Sequence, residues 1–376
     1  MTAPYKERNK PKRKRLFSTF ARLGIIIFAV VFAVYTATRY SRPLADFLNG
    51  SVSAYYRRAM AAFGDIFPFS LYELAVATIP LQIVILVWVI IRKIRYDEGA
   101  GRLLINVAAA ALLLYSGHLV ALGIAYNTTP VSNRLEIASV EVTEDRLQSV
   151  LSQLVDEINE LSPKVKRDSD GVSDPGYTLD EISALICESY ASLSAKFGVP
   201  DISFDSRVKE IEYSSVMSYF SLTGIYTFYT GEANINGLYP SFDKVFAAAH
   251  ELSHQRGVLR ENEANFMAYL ALSTSSDEYL RYSGALSMYG YIASALYRTD
   301  KDAYYEIAAR LDRGARADLI ASDSVSEEYG GTIFSDISRF VNDLFLKSSG
   351  TEGVISYGLV TRLTVAYFEA GKPMLK

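Results

Sequence analysis

Read for runs of apolar residues, the chain divides near Tyr126. Three apolar stretches precede that point. Leu23 to Thr38 is uncharged and, with Phe17–Ala21 and a snorkelling Arg22, reaches the roughly 20 residues that a hydrocarbon core of about 30 Å requires. Leu71 to Ile91 is the second, closed by Arg92-Lys93-Ile94-Arg95, and Leu103 to Tyr126 the third. These two are less apolar and include Glu73, Pro80, Asn106 and His118. The pattern predicts three membrane-spanning helices. Glu73 and His118 sit near the ends of their runs, where structural, interfacial roles are expected.

Residues 127–376 contain no further run long enough to span. Leu147, Val150, Leu151, Leu154, Val155 and Ile158 recur at the helical period within Val142–Leu161, and Pro163 stops that helix. Lys164–Gly176 is polar and reads as a surface loop; Leu179–Phe197 reads as a second helix. Gly224–Gly237 changes character. Ile225, Tyr226, Phe228 and Tyr229 favour strand, with turns at Thr230-Gly231 and Asn236-Gly237, so a hairpin or a pair of edge strands is expected. From Phe242 the pattern is helical almost to the end, Val354–Ala370 reading as an amphipathic helix. The expected fold class is mainly α: a basic tail and three transmembrane helices over 1–126, then a mostly helical α+β domain with a small sheet over 127–376.

Charge adds an orientation. The net of −4 hides an asymmetry: residues 1–126 hold 16 Lys and Arg against 6 Asp and Glu, and the remainder holds 22 against 36. Lys6, Arg8, Lys10, Lys12, Arg13, Lys14 and Arg15 form a cytoplasmic anchor, and the basic loop Arg92–Arg102 should share its side. Arg39, Arg42, Arg57 and Arg58 weaken the contrast without reversing it. Three spans then put everything after Tyr126 outside the cytoplasm. An acidic second part also argues against nucleic acid as a partner.

Cysteine usage narrows the chemistry. Cys187 is alone, which excludes an intramolecular disulfide and any zinc site built on several thiolates. Histidine chemistry must come from His118, His250 and His254. The last two belong to His250-Glu251-Leu252-Ser253-His254. Histidines at i and i+4 lie on one helical face and can share a Zn2+, with Glu251 placed to activate the metal-held water as general base. Gly257 is suited to ending that helix in a left-handed turn. A catalytic zinc needs a third protein ligand. The following helix offers Glu261 and Glu263, which point about 200° apart. Glu261 is the expected ligand, because it shares a face with the small residues Ala264 and Ala268. Asn265, one turn on, is placed to hydrogen-bond a ligand from behind.

His-Glu-x-x-His followed by Glu261-x-x-Ala264-Asn265 resembles the gluzincin metallopeptidases, in which a glutamate completes the metal site. A wider set of segments resembles one family of uncharacterised bacterial membrane proteins, known as a domain of unknown function with a metallopeptidase-like site. These are Pro68-Phe69-Ser70, Gly231-Glu232-Ala233-Asn234-Ile235-Asn236, the His250–Asn265 block and Gly353-Val354-Ile355-Ser356-Tyr357-Gly358. The resemblance implies a zincin-like domain, one zinc per chain, and a multi-pass protein of the bacterial cytoplasmic membrane acting on a peptide or protein in the cell envelope. Zinc peptidases of this shape often bind substrate as a strand added to a sheet edge before the active helix. Ala233–Leu238 is the candidate edge, with Asn234 and Asn236 as contacts and Glu232 either a contact or a structural acid. Tyr357 is a candidate hydrogen-bond donor to the transition-state oxyanion. The competing expectation is an inert envelope scaffold or sensor stapled by zinc.

Overall fold

The computed structural model describes residues 17–96, 99–197, 204–332, 334–336 and 356–371. Helix α1 (Thr19–Thr38) starts at Ser18, whose hydroxyl accepts from the Ala21 N–H and donates to Asn106 across the helix pair. Its partner α6 (Ala100–His118) continues through tighter and wider turns to Asn127. Among the described residues these two helices are long and apolar enough to cross a membrane, not the three expected. The middle run is a pair, α4 (Leu71–Ala77) and α5 (Ile79–Arg95), bent by 51°. Pro80 explains the break: it has no N–H to donate one turn back, and its ring crowds the preceding turn. The Thr78 hydroxyl donates to the Leu74 and Ala75 carbonyls instead.

The segment between these runs is built into the fold. Helix α2 (Arg42–Leu48), a wide turn (Asn49–Ser53) and α3 (Ala54–Gly64) form nearly continuous helix. Its buried stripe is Ala45, Asn49, Ser53, Arg57, Ala61 and Gly64, spaced at three or four residues. The Arg57 guanidinium donates to the Asn49 side chain, the Asn49 carbonyl and the Ala121 carbonyl at 2.9–3.1 Å. Arg58 lies over the Phe204 ring. Both arginines, counted above only as flanking charge, have packing roles.

The helices and hairpin read from the sequence form. Helix α8 (Glu144–Leu161), capped by Thr143, buries every apolar residue named for it and packs along α13 (Glu278–Thr299). Each such aliphatic side chain contributes about 1.5–3 kcal/mol of burial. Helix α9 covers Leu179–Phe197. Strands β2 (Gly224–Thr227) and β3 (Glu232–Asn236) pair antiparallel, and β1 (Val208–Ile211) adds to β3 in parallel, giving the order β1-β3-β2. Ala233 and Ile235 join the core with α11 (Ser241–Gln255), while the alternate side chains Glu232, Asn234 and Asn236 point to the other face. There Glu232 accepts from Lys209 at 2.6 Å and from the Leu71 and Tyr72 N–H groups at 2.9 Å. Lys209 also donates to the Gly64 and Phe69 carbonyls. Glu73 returns the favour by accepting from the Glu212 and Tyr213 N–H groups. The first turn of the bent pair is thus stitched to the sheet.

Candidate metal centre

Helix α11 presents His250 and His254 one turn apart, their ring centroids 4.6 Å from each other. It ends in a Schellman turn: Gly257 N–H donates to the His254 carbonyl, Val258 N–H donates to Ser253, and Gly257 has φ +87°. A short link then starts α12 (Glu261–Ser273), which doubles back on α11. The turn is held from three sides. Asn49 donates to the Gly257 carbonyl, Arg57 packs where a Cβ on Gly257 would stand 2.3 Å from Nη2, and Arg260 donates to the Tyr126 and Thr128 carbonyls.

This geometry brings the first carboxylate of α12 to the histidines. Glu261 lies 3.3 Å from His250 Nε2 and 3.5 Å from His254 Nε2, and one donor atom from each residue fits within 4.8 Å of the others. Donors 2.0–2.2 Å from a shared tetrahedral ion stand about 3.4 Å apart, so the set fits a zinc ion. The His254 Nδ1 lies 2.9 Å from the Val258 carbonyl, a contact that puts the proton on Nδ1 and leaves the Nε2 lone pair facing Glu261. Asn265 adjoins His250 and favours its charged form, yet among the described residues His250 Nδ1 itself makes no hydrogen bond of regular geometry. Glu263 turns away, pairing with Arg260 at 3.1 Å and accepting from the Val131 N–H.

The metal-free electrostatics are those of a crowded acid–base cluster. Burial, which alone would lower it, is outweighed at His250 by Glu261 and Glu251, and its pKa rises to about 8. Burial lowers His254 to about 4. At Glu261 burial is outweighed by the two histidines, holding the carboxyl at about 2. Glu251 is buried and pushed up to about 8, with His250 and the Tyr226 backbone N–H opposing the rise. Glu261 keeps 31% of its side chain exposed and His250 15%, so the cluster lies at the edge of the buried interior.

The other candidates divide. Asn234 and Asn236 lie in β3, which is the central strand, and both are fully buried; a peptide cannot add there because β1 and β2 occupy both sides. Asn236 donates to Ser218 and Leu222. Among the described residues Asn234 finds no partner at either side-chain atom. Glu232 is the structural acid of the buried pair with Lys209. The edges are β1 and β2, and the one beside the histidine helix is β2, whose outer side carries no strand among the described residues and whose Tyr226 N–H faces Glu251. A glycine at the head of a β-branched and aromatic run, Gly224-Ile225-Tyr226-Thr227, was the local sign of a close approach there. His118 stacks on Tyr115 and meets Phe228 edge-on, a packing role. Tyr357 falls in the C-terminal helix Ser356–Glu369, its side chain outside the described residues, as are residues 353–355.

The chain is thus a mainly helical protein with apolar helices long enough to cross a membrane and a partly buried two-histidine, one-glutamate cluster. It belongs to a family described as a protein of unknown function (DUF3810), whose sequence model matches residues 48–365. No curated protein and no solved structure matches the chain.

Proposed function

We propose that this is a membrane-anchored, zinc-dependent metallopeptidase with a gluzincin-like, zincin-type site. The observation that carries the reading is the convergence of His250, His254 and Glu261, with Glu251 one residue from the first histidine and beside an edge strand. Zinc bound there supplies a Lewis acid that polarises a carbonyl and acidifies water. Glu251 takes a proton from the attacking water and passes it to the leaving amine. Burial strengthens the carboxyl's hold on a proton, which suits it to carrying one from water to amine. The outer edge of β2 offers backbone groups to an extended peptide, the role expected earlier of β3.

A zinc-stapled inert scaffold would need a fourth protein ligand. Glu263, the residue in sequence to provide it, is committed to Arg260 and Val131. The basic tail places the N-terminus in the cytoplasm on this reading. Counting the bent pair as a third span, the C-terminal ends of α1 and α6 and the N-terminal end of the pair share one side with the folded domain, and on this reading that side is outside the cytoplasm, in a bacterial envelope, with envelope peptides or proteins as substrates.

The test uses the full chain in detergent or nanodiscs. Elemental analysis should find about one zinc per chain in the wild type and in Glu251→Gln, and none in His250→Ala. Peptide hydrolysis should fall about 10²- to 10⁴-fold in Glu251→Gln. Folded wild-type protein that takes up no zinc from the free metal would sink the proposal.

A further inference from the structure

The helix α2–α3 is amphipathic in the reverse sense to a helix on a water-soluble protein. Its polar side chains, Asn49, Ser53 and Arg57, turn inward, whereas Phe47, Val52, Tyr55, Phe63, Ile66 and Phe69 are between 47% and 72% exposed. From Pro43 to Phe69 no exposed position carries a charge. The four charged residues in that stretch are each drawn into the protein. Asp46 pairs with Arg134 at 2.5 Å, Arg57 and Arg58 are placed as described, and Asp65 accepts from the Arg207 N–H at 3.3 Å. A helix facing water over such a length would carry charge on its outer side.

The cover is indicated by what this surface joins. Three residues separate α1 from α2, Leu71 opens the bent apolar pair two residues after Phe69, and Arg57 bonds to Ala121 in the last turns of the α6 span. The uncharged face therefore continues the lipid-facing surfaces of helices that pass the length and apolarity test for a span.

We infer that residues 43–69 rest their uncharged face on the lipid bilayer, at the boundary of headgroups and acyl chains, and carry the metal centre at the membrane surface. The opposite face of the same helix holds Gly257, the turn between the two ligand-bearing helices, through Asn49 and Arg57. One helix, about 10 Å across, therefore separates lipid from that turn. Resting on the peptidase reading above, this limits the substrate class to chain segments lying close to the bilayer: the membrane-proximal stretches of anchored proteins.

Trp88 is the single tryptophan, so the site of emission can be moved. In a Trp88→Phe background, Tyr55→Trp and Ile66→Trp are compared with Tyr305→Trp, a position 59% exposed on the far domain. All are the full chain in vesicles whose phospholipids carry bromine near the head of the acyl chains. Tyr55→Trp and Ile66→Trp should lose emission to the brominated lipid as strongly as Trp88 does in the wild type, and Tyr305→Trp should not. Emission at 55 and 66 as insensitive to bromine as at 305 would overturn the inference. So would bromine-insensitive, blue-shifted emission accompanied by dimers, which would mean a second copy covers the face. Quenching needs neither metal nor turnover, so its failure is distinct from failure of the peptidase reading. If both hold, a peptide tethered to a lipid should be cleaved at least tenfold faster than the same peptide free in solution.

Discussion

Glu251 and Gly224 share one small space: a Cβ at Gly224 would stand 2.6 Å from Glu251 Oε1 and 2.7 Å from its Cγ. The edge strand comes this close to the carboxylate because nothing projects from residue 224. Gly224→Ala should displace Glu251 while leaving both histidines and Glu261 in place. Displacement of a catalytic base by about 1 Å can cost on the order of 10²-fold in rate. The variant should therefore keep its zinc and lose between 10- and 100-fold in peptide hydrolysis, read by metal content and turnover on the same sample.

Glu261 and Glu263 should separate cleanly by substitution. Glu261→Gln removes a charged donor from between the histidines, so zinc affinity should fall at least tenfold by competition with a chelator. Glu263→Gln leaves Arg260 with a weakened partner and weakens the bond from Val131, at a cost of about 1–3 kcal/mol in stability. Its zinc content at saturating metal should match the wild type. The reverse pattern would reassign the third donor.

Arg57 should behave as a positioning residue for the ligand turn. Arg57→Leu strands the Ala121 carbonyl and both Asn49 acceptors, at a cost of about 3 kcal/mol or more. Gly257→Ala adds strain at φ +87° and a clash with the same guanidinium. Both variants should melt lower than wild type and release zinc faster, the second with Arg57 still present. Unchanged melting in both would remove the coupling between α3 and the turn.

Stability should depend on pH through Glu157, away from the metal centre. Burial holds its carboxyl at about 7, with Arg281 opposing the rise, and Oε2 has no hydrogen-bond partner among the described residues. The folded chain therefore binds this proton more tightly than the unfolded chain. Its contribution is fully present below an ordinary carboxylate pKa of about 4.5 and is lost as pH rises to about 7. The loss is at most about 3 kcal/mol. Glu157→Gln should raise the melting temperature at pH 8 and leave it nearly unchanged at pH 5.

What the sequence made legible was what repeats or sits close along the chain. The α8 stripe, the Gly224–Gly237 hairpin and the two-histidine helix each declare themselves within about 20 residues, because helical and strand periods are local. The choice of Glu261 over Glu263 rested on the same local geometry, and the folded chain brings Glu261 to the histidines. Misread were relationships with no local period. Val208–Ile211 is four residues with two charges, and it is a strand because β3 lies beside it. Its pairing turned an expected edge into the centre of the sheet and moved Asn234 and Asn236 inside. Arg57 and Arg58 looked like flanking charge because their acceptors, Ala121 and the Phe204 ring, lie far along the chain. Pro80 was visible, yet the apolar run continues on both sides of it, so composition alone does not reveal the bend.

The stitching of Glu232 and Lys209 to residues 64–72 bears on how this protein can be produced. Excision at Asn127 would yield a fragment lacking the Leu71 and Tyr72 N–H groups that complete Glu232 and the carbonyls that complete Lys209. It would also lack the Asn49 and Arg57 brace on Gly257. The anchor is thus part of the folding unit, and a shortened product would be insoluble or misassembled for reasons unrelated to its chemistry.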